Sequence, residues 1–222
     1  MGQLIKVKSI SHLTHDVLRI RLEKPQTLTF CPGQAADISI NKLGWTDKLR
    51  AFTFTSLPGD DDLEFSIKTY PERQGVTNQL LSLVPGDELI LHDVFGAIAY
   101  KGEGLFIAGG AGVTPFIAIF RQLDKEGKIG NNRLLFANKT SADIIEDAYF
   151  SKLLGDHFVN VLSEEELPGY EHGYITEKIL RKYMDTQLPY IYLCGPDPMM
   201  DAIQSTLHAL GVHESAIIRE EF

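Results

Sequence analysis

The chain has 222 residues, 44% of them hydrophobic, with a formal net charge of −9. That length suits one large or two small domains with a sizeable core. Acidity with scattered Lys and Arg argues against nucleic acid as the main partner, and two cysteines, Cys31 and Cys194, exclude a disulfide framework or a four-thiolate iron–sulfur cluster within the chain.

The amino end, "MGQLIKVKSI", alternates as a strand does and lacks the basic flank and apolar centre of an export signal. No apolar run approaches the roughly 20 residues of a membrane span, so the reading is a soluble, cytoplasmic protein with no membrane span. Up to about residue 97, short alternating runs recur: "QLIKVKSI", "DVLRIRLE", "AADISI", "LEFSIKTY" and "ELILHD". Turns such as "CPGQ", "LPGDDD" and "VPGDE" separate them. This pattern predicts an antiparallel β-barrel. Within it, "RAFTFTS" (50–56) places Arg50, Phe52 and Phe54 on one face of a regular strand, with Ala51, Thr53 and Thr55 opposite. An arginine, an aromatic ring and hydroxyls could hold a diphosphate-bearing aromatic cofactor, although a plain barrel strand has the same pattern. In "QGVTNQLLSL" (74–83), Gly75 precedes Thr77 and a short amphipathic helix, which is either a second anion site or an ordinary helix start.

A polar, glycine-bearing stretch at 97–104 divides the barrel pattern, residues 1–98, from a second domain, residues 99–222. There, apolar strands "LFIAG", "RLLFAN", "HFVNVLS" and "YIYLCG" alternate with helical patterns at 114–126, 141–154, 176–184 and 197–210. The expectation is a Rossmann-like α/β domain, a parallel sheet flanked by helices. Its first strand ends in "AGGAGVTP" (108–115). Gly109 and Gly110 permit backbone angles a side chain forbids, Gly112 removes bulk, and Thr114 before Pro115 can cap a helix or meet phosphate. Ligands of open parallel sheets lie at the carboxyl ends of the strands, so a nucleotide pyrophosphate suits this turn, as would a plain tight turn. The last apolar strand ends in Cys194-Gly195-Pro196, and its thiol stands beside the glycine turn if the two strands are neighbours.

Taken together and in order, these stretches resemble the ferredoxin-NADP reductase superfamily over essentially the whole chain. The flavin signature R-x-[YF]-[ST]-x-x-S matches Arg50, Phe52, Thr53 and Ser56; a second flavin motif matches Gly75 and Thr77; "PGQ" matches Pro32 to Gln34. The nucleotide motif matches Ala108 to Pro115, and C-G-P matches Cys194 to Pro196. "LLFANKTSADII" (134–145) is most similar to the cytochrome b-five reductase branch, in which such a stretch meets the adenosine ribose through Asn138, Lys139 and Asp143. Asp143 would repel the extra phosphate of NADP, whereas Lys139 would attract it; a first-turn acid favoured by the helix dipole is the other meaning of Asp143. The carboxy-terminal "REEF" matches an E-x-aromatic ending through Glu220 and Phe222. The resemblance further assigns Ala51, Ile67, Lys68 and Val76 to the cofactor site. Phe52 stands where many members carry tyrosine, and "HDVFG" (92–96) replaces the commoner G-P-x-G.

The resemblance implies an NAD(P)H-dependent reductase containing FAD, with FMN the other flavin to weigh and NADH leaning ahead of NADPH. Arg50 would neutralise the flavin pyrophosphate, Thr53 would reach the redox-active nitrogen, and Cys194, Glu220 and Phe222 would border the nicotinamide and flavin rings. A hydride would pass from NAD(P)H to the flavin, then single electrons to a separate ferredoxin, flavodoxin, haem protein or oxygenase. A reductase of free flavin or ferric chelates, and a non-enzymatic redox-sensing module, are the alternatives.

Overall fold

The computed structural model describes residues 2–96, 98–185 and 187–219. The chain forms two compact units, one of residues 1–99 with Thr114–Gln122, the other of residues 100–113 with 123–222. Most of the helix expected in the second half therefore counts with the first unit.

In the first unit, β1 (Gln3–His12), β2 (Val17–Glu23), β3 (Ala35–Ile40), β4 (Arg50–Thr53), β5 (Asp62–Lys68) and β6 (Glu88–Phe95) form an antiparallel sheet in the order β4-β3-β6-β1-β2-β5. A bridge from Phe54 to Phe65 links the two outer strands, so the sheet curls into the expected barrel. Period-two alternation explains the interior: Leu18, Ile20 and Leu22 of β2 point inward, with Ile20 opposite Phe65 and Leu22 opposite Leu63. Phe54 sits at the centre, stacked on Phe30 at 4.1 Å between ring centres and tilted against Phe65 at 5.0 Å. Besides the Thr114–Gln122 segment, the described residues of this unit hold one α-helix, α1 (Val76–Gln79).

In the second unit, β7 (Gly104–Gly109), β8 (Arg133–Asn138), β9 (Phe158–Leu162), β10 (Glu171–His172), β11 (Tyr190–Cys194) and β12 (Ile217–Arg219) form a parallel sheet in the order β10-β9-β8-β7-β11-β12. Successive strands run outward from β7 on one side, then the chain returns to lay β11 against β7 on the other. That reversal is the switch point at which open α/β sheets bind ligands. Leu105, Ile107, Leu135, Val161 and Leu193 pack with Leu180 of α4 (Glu177–Tyr183) and with Ile203 and Leu207 of α5 (Asp197–Ala209). Tyr192 stacks on Phe106 at 4.2 Å, and its hydroxyl accepts from the Lys101 and Gly102 N–H groups and donates to the Gly102 carbonyl at 2.7 Å. These bonds pin β11 two residues before Cys194.

The expected helix at 141–154 is corrected: a short 3-10 turn, Ser141–Asp143, is followed by extended Ile144, and α3 (Asp147–Leu154) starts only after Glu146, which takes φ 58°. Thr140 and Asp143 close a reciprocal cap at the start of the short turn, and the extended Ile144 and left-handed Glu146 then break the run. The helix expected at 114–126 is α2 (Thr114–Lys125).

Candidate functional site

The first unit supplies one set of residues. Arg50 opens β4 on the edge of the sheet, exposed, and its Nη1 donates to the Leu49 carbonyl at 2.7 Å. Among the described residues no carboxylate pairs with it, so its charge is open to an anion. Ala51 is exposed, Thr53 is half-buried opposite Ala35, and Phe52 packs its half-buried ring on the barrel core.

Behind the edge, the strand's continuation turns inward. Ser56 is buried and its Oγ accepts from the Glu64 N–H at 3.0 Å, so this hydroxyl braces the barrel. Thr55 is also buried and donates to Glu64 Oε1 at 3.2 Å. Glu64 is 5% exposed, and it meets Arg121 at 2.8 Å, Arg21 at 3.1 Å and Arg19 at 3.6 Å. Arg121 Nη1 also donates to the Thr55 carbonyl at 2.6 Å. Burial raises the Glu64 pKa, but the guanidinium of Arg121 and then those of Arg19 and Arg21 outweigh it and hold the carboxyl below its ordinary value. The segment that carries the flavin signature is thus clamped from within by an ion cluster absent from the sequence reading. Glu64 alternates like a solvent-facing strand residue and Arg121 like a solvated helix residue. Their partners lie 57 positions apart, and only tertiary structure joins them.

Ile67 is buried in the barrel core, leaving its main chain as the route to any ligand, and Lys68 pairs with Asp16 at 2.7 Å. Gly75 is extended before α1, with open space where a Cβ would stand; Val76 is buried and Thr77 half-buried. First-turn N–H groups here have no intrahelical acceptor.

The second unit brings the two glycine-bearing turns together. β7 and β11 are neighbours, with Cys194 level with Ala108. A Cβ on Gly112 would overlap the Cys194 carbonyl oxygen and lie 2.6 Å from the Gly195 nitrogen; one on Gly195 would lie 3.1 Å from the Gly109 nitrogen. Gly109 is buried under Met199 and the Pro196 ring. Gly110, by contrast, takes φ +51° with nothing within 4 Å of its Cβ position, so the turn is closely packed below and bare above. Bare main chain of that kind leaves room for a ligand to come close to the backbone. Thr114 opens α2 and is 8% exposed; Cys194 is likewise 8% exposed.

One strand over, Asn138 ends β8. Among the described residues its side-chain Oδ1 and Nδ2 are buried without a partner, an arrangement that costs free energy unless a ligand or water completes it. Lys139 pairs with Glu164 at 3.0 Å, which holds its ammonium above the ordinary value. Asp143 Oδ2 accepts from the Thr140 N–H at 2.8 Å and Oγ1 at 2.7 Å, the first-turn role rather than a free carboxylate. Glu220 and Phe222 lie outside the described residues. Among the described residues no helix is long and apolar enough to cross a membrane.

Comparison with known proteins finds two families along the chain. The FAD-binding domain family matches residues 3–93, and the oxidoreductase NAD-binding domain family matches residues 106–205. The reductase component of propane 2-monooxygenase from Mycolicibacterium goodii is 30% identical over 98% of this chain, and the toluate 1,2-dioxygenase electron transfer component of Pseudomonas putida is 24% identical over 100% of it. The chain spans 66% of the first relative and 68% of the second. Among solved structures, the flavohem-like FAD/NAD binding domain of nitric oxide dioxygenase from Vibrio cholerae O1 biovar El Tor superposes with a TM-score of 0.87 at 21% identity, covering 100% of this chain and 98% of that one. At that identity the likeness establishes the fold.

Proposed function

Because the chain belongs to the ferredoxin-NADP reductase superfamily, with an FAD-binding and an NAD-binding domain, we propose that it oxidises NAD(P)H through bound FAD and passes the electrons singly to a redox partner of an oxygenase system. The carrying observation is the packing of Gly112 on Cys194 and Gly195 at the sheet's switch point, below the bare left-handed Gly110. The relatives named above are reductase and electron-transfer components of oxygenases, which supports the acceptor class. Two cysteines cannot ligate a four-thiolate iron–sulfur centre, so electrons would leave to a centre these residues do not hold. Two cysteines outside any disulfide suit a reducing compartment, and a cytoplasmic location is part of the proposal.

FAD, when bound, accepts the electron pair of a hydride and releases it one electron at a time. The chain's work is to bind and orient. Arg50, uncommitted to any carboxylate, would neutralise the flavin pyrophosphate, with the N–H groups at Val76 and Thr77 adding neutral donors. Phe52 and Thr53 would face the flavin ring from a strand whose other end is fixed by Glu64 and Arg121. Gly110, Gly112 and Thr114 would seat the nicotinamide nucleotide's pyrophosphate, with Asn138 offering its unpaired amide to the adenosine portion. Such positioning, rather than proton transfer, is where hydride transfer gains its rate.

The test is anaerobic stopped-flow mixing with NADH. A yellow protein that bleaches, then recolours on adding a ferredoxin or oxygenase component, is the expected result; a preparation that binds FAD but stays yellow would leave a sensor instead of a reductase. A second prediction concerns flavin retention. Arg50→Ala should bind FAD about ten- to a hundredfold more weakly, the value of one charge-assisted hydrogen-bonding group. Flavin absorbance per protein after purification measures it, and an unchanged ratio would remove Arg50 from the site.

A further inference from the structure

The parallel-sheet unit holds a cavity of about 280 Å³ at the amino ends of its strands. Leu105 follows the first residue of β7, Arg133 opens β8 and Val159 follows the first residue of β9, whereas the glycine turn and Cys194 stand at the carboxyl ends. From Leu105 to Gly109 is about 13 Å of strand, so a nucleotide seated on that turn leaves the cavity alone. Leu105, Leu135 and the half-buried Val159 give it an apolar floor on the face of the sheet that packs with Leu180 of α4.

Its walls are polar. Arg133 Nη1 donates to the Tyr183 carbonyl at 3.2 Å and Nη2 to Asp185 Oδ2 at 3.1 Å, which fixes the guanidinium plane where α4 ends. Its Nε–H is left buried without an acceptor among the described residues, a cost that a bound acceptor would relieve. His157, half-buried in the turn before β9, lines the same space and has no hydrogen-bond partner among the described residues. An imidazole carries at least one N–H in either tautomer, so it is a second unspent donor. Lys182 shares its charge with Glu171 at 2.6 Å, the Tyr183 hydroxyl donates to the same carboxylate at 2.5 Å, and Asp156 stands exposed at the rim. These acids hold the local positive charge down, which favours a ligand with one negative charge over a phosphate with two. The volume lies at the small end of ligand cavities, which run from about 300 Å³ upwards.

We propose that this cavity binds a small organic acid, an aromatic or branched-chain monocarboxylate, with its carboxylate on Arg133 Nε and His157 and its apolar body on Leu105, Leu135 and Val159. The site is separate from the nucleotide turn and does not depend on the reductase reading.

The experiment titrates the FAD-loaded holoprotein with benzoate and follows backbone amide shifts by NMR. Binding is expected to saturate with a Kd of about 1 mM or tighter, within reach of a ligand of this size, and to shift the amides of residues 104–106, 133–135 and 156–160. Acetate, which lacks the apolar body, and benzyl alcohol, which lacks the charge, should each bind at least about tenfold more weakly. Saturating NAD⁺ should leave the benzoate affinity unchanged. His157→Leu should weaken benzoate about tenfold, and Val159→Phe, which fills the floor with its own ring, should abolish binding. Arg133→Lys keeps the charge but lacks Nε, and should also weaken binding about tenfold; since Arg133 braces Tyr183 and Asp185 as well, the other two variants carry the test if this one does not fold. A parent Kd above about 10 mM, displacement of benzoate by NAD⁺, equal binding of acetate or benzyl alcohol, or parent affinity in either His157→Leu or Val159→Phe would each overturn the inference.

Discussion

Gly112→Ala is expected to retain FAD and yet be reduced by NADH at least about a hundredfold more slowly than the parent. The added Cβ would overlap the carbonyl oxygen of Cys194 and stand 2.6 Å from both its carbonyl carbon and the Gly195 nitrogen, all main-chain atoms that cannot swing aside. The two turns must separate by roughly an ångström, and a misplacement of that size is enough to cost about two orders of magnitude in a reaction that depends on aligned partners. Gly110→Ala is the informative companion. Its Cβ would meet nothing within 4 Å, so its penalty is only that of a side chain at φ +51°, about 1 kcal/mol. FAD content comes from the visible spectrum and the reduction rate from stopped-flow, and a Gly112→Ala protein reduced at the parent rate would show that contact between the turns is irrelevant to nucleotide seating.

The glycine turn stood out in the sequence because it joins an apolar strand to a helical pattern, and the strands β7, β8, β9 and β11 stood out because they are mostly apolar, broken only by Arg133, Asn138 and Asn160. The barrel was legible through alternation: in β2, Leu18, Ile20 and Leu22 face inward with Arg19 and Arg21 between them. Local signals fail where the backbone breaks a helical spacing. The run 141–154 has that spacing and a cap at Thr140 and Asp143, yet extended Ile144 and left-handed Glu146 interrupt it. β10 and β12, two and three residues long, are too short to show any period. Sequence also could not distinguish Asp143 as a ribose ligand from Asp143 as a cap; the structure engages it in the cap. The carboxylates facing Lys139 and Ser141 come from another strand end, 25 and 24 residues away, and only the parallel pairing of β8 with β9 brings them there.

The Glu64 cluster is the extreme case of such hidden pairing, and removing the acid should have the largest effect on stability in the first unit. Glu64→Ala takes away the buried carboxylate that Arg19, Arg21 and Arg121 share, and removes the acceptor for the Thr55 hydroxyl. Breaking a buried ion pair from one side costs about 3 to 5 kcal/mol, far above the fraction of a kcal/mol expected for the exposed Arg181–Glu177 pair on α4. The sign of the pH dependence follows from the direction of the shift. Glu64 titrates below the ordinary 4.5 in the folded protein, so its contribution is complete above that value and is lost as pH falls through the lowered folded pKa. The gap between parent and Glu64→Ala in urea midpoints should therefore be widest near neutrality and narrow on acidification below about 4.5. Since Arg121 also holds the Thr55 carbonyl, the variant should loosen FAD as well, by freeing the strand behind Arg50 and Thr53. Glu64→Gln, which keeps the shape and one acceptor oxygen, should recover part of the stability but not the acid-dependent part. A stability gap in Glu64→Ala that is below about 1 kcal/mol, or that is the same at pH 4 and pH 7, would mean the three arginines are held by something other than this carboxylate.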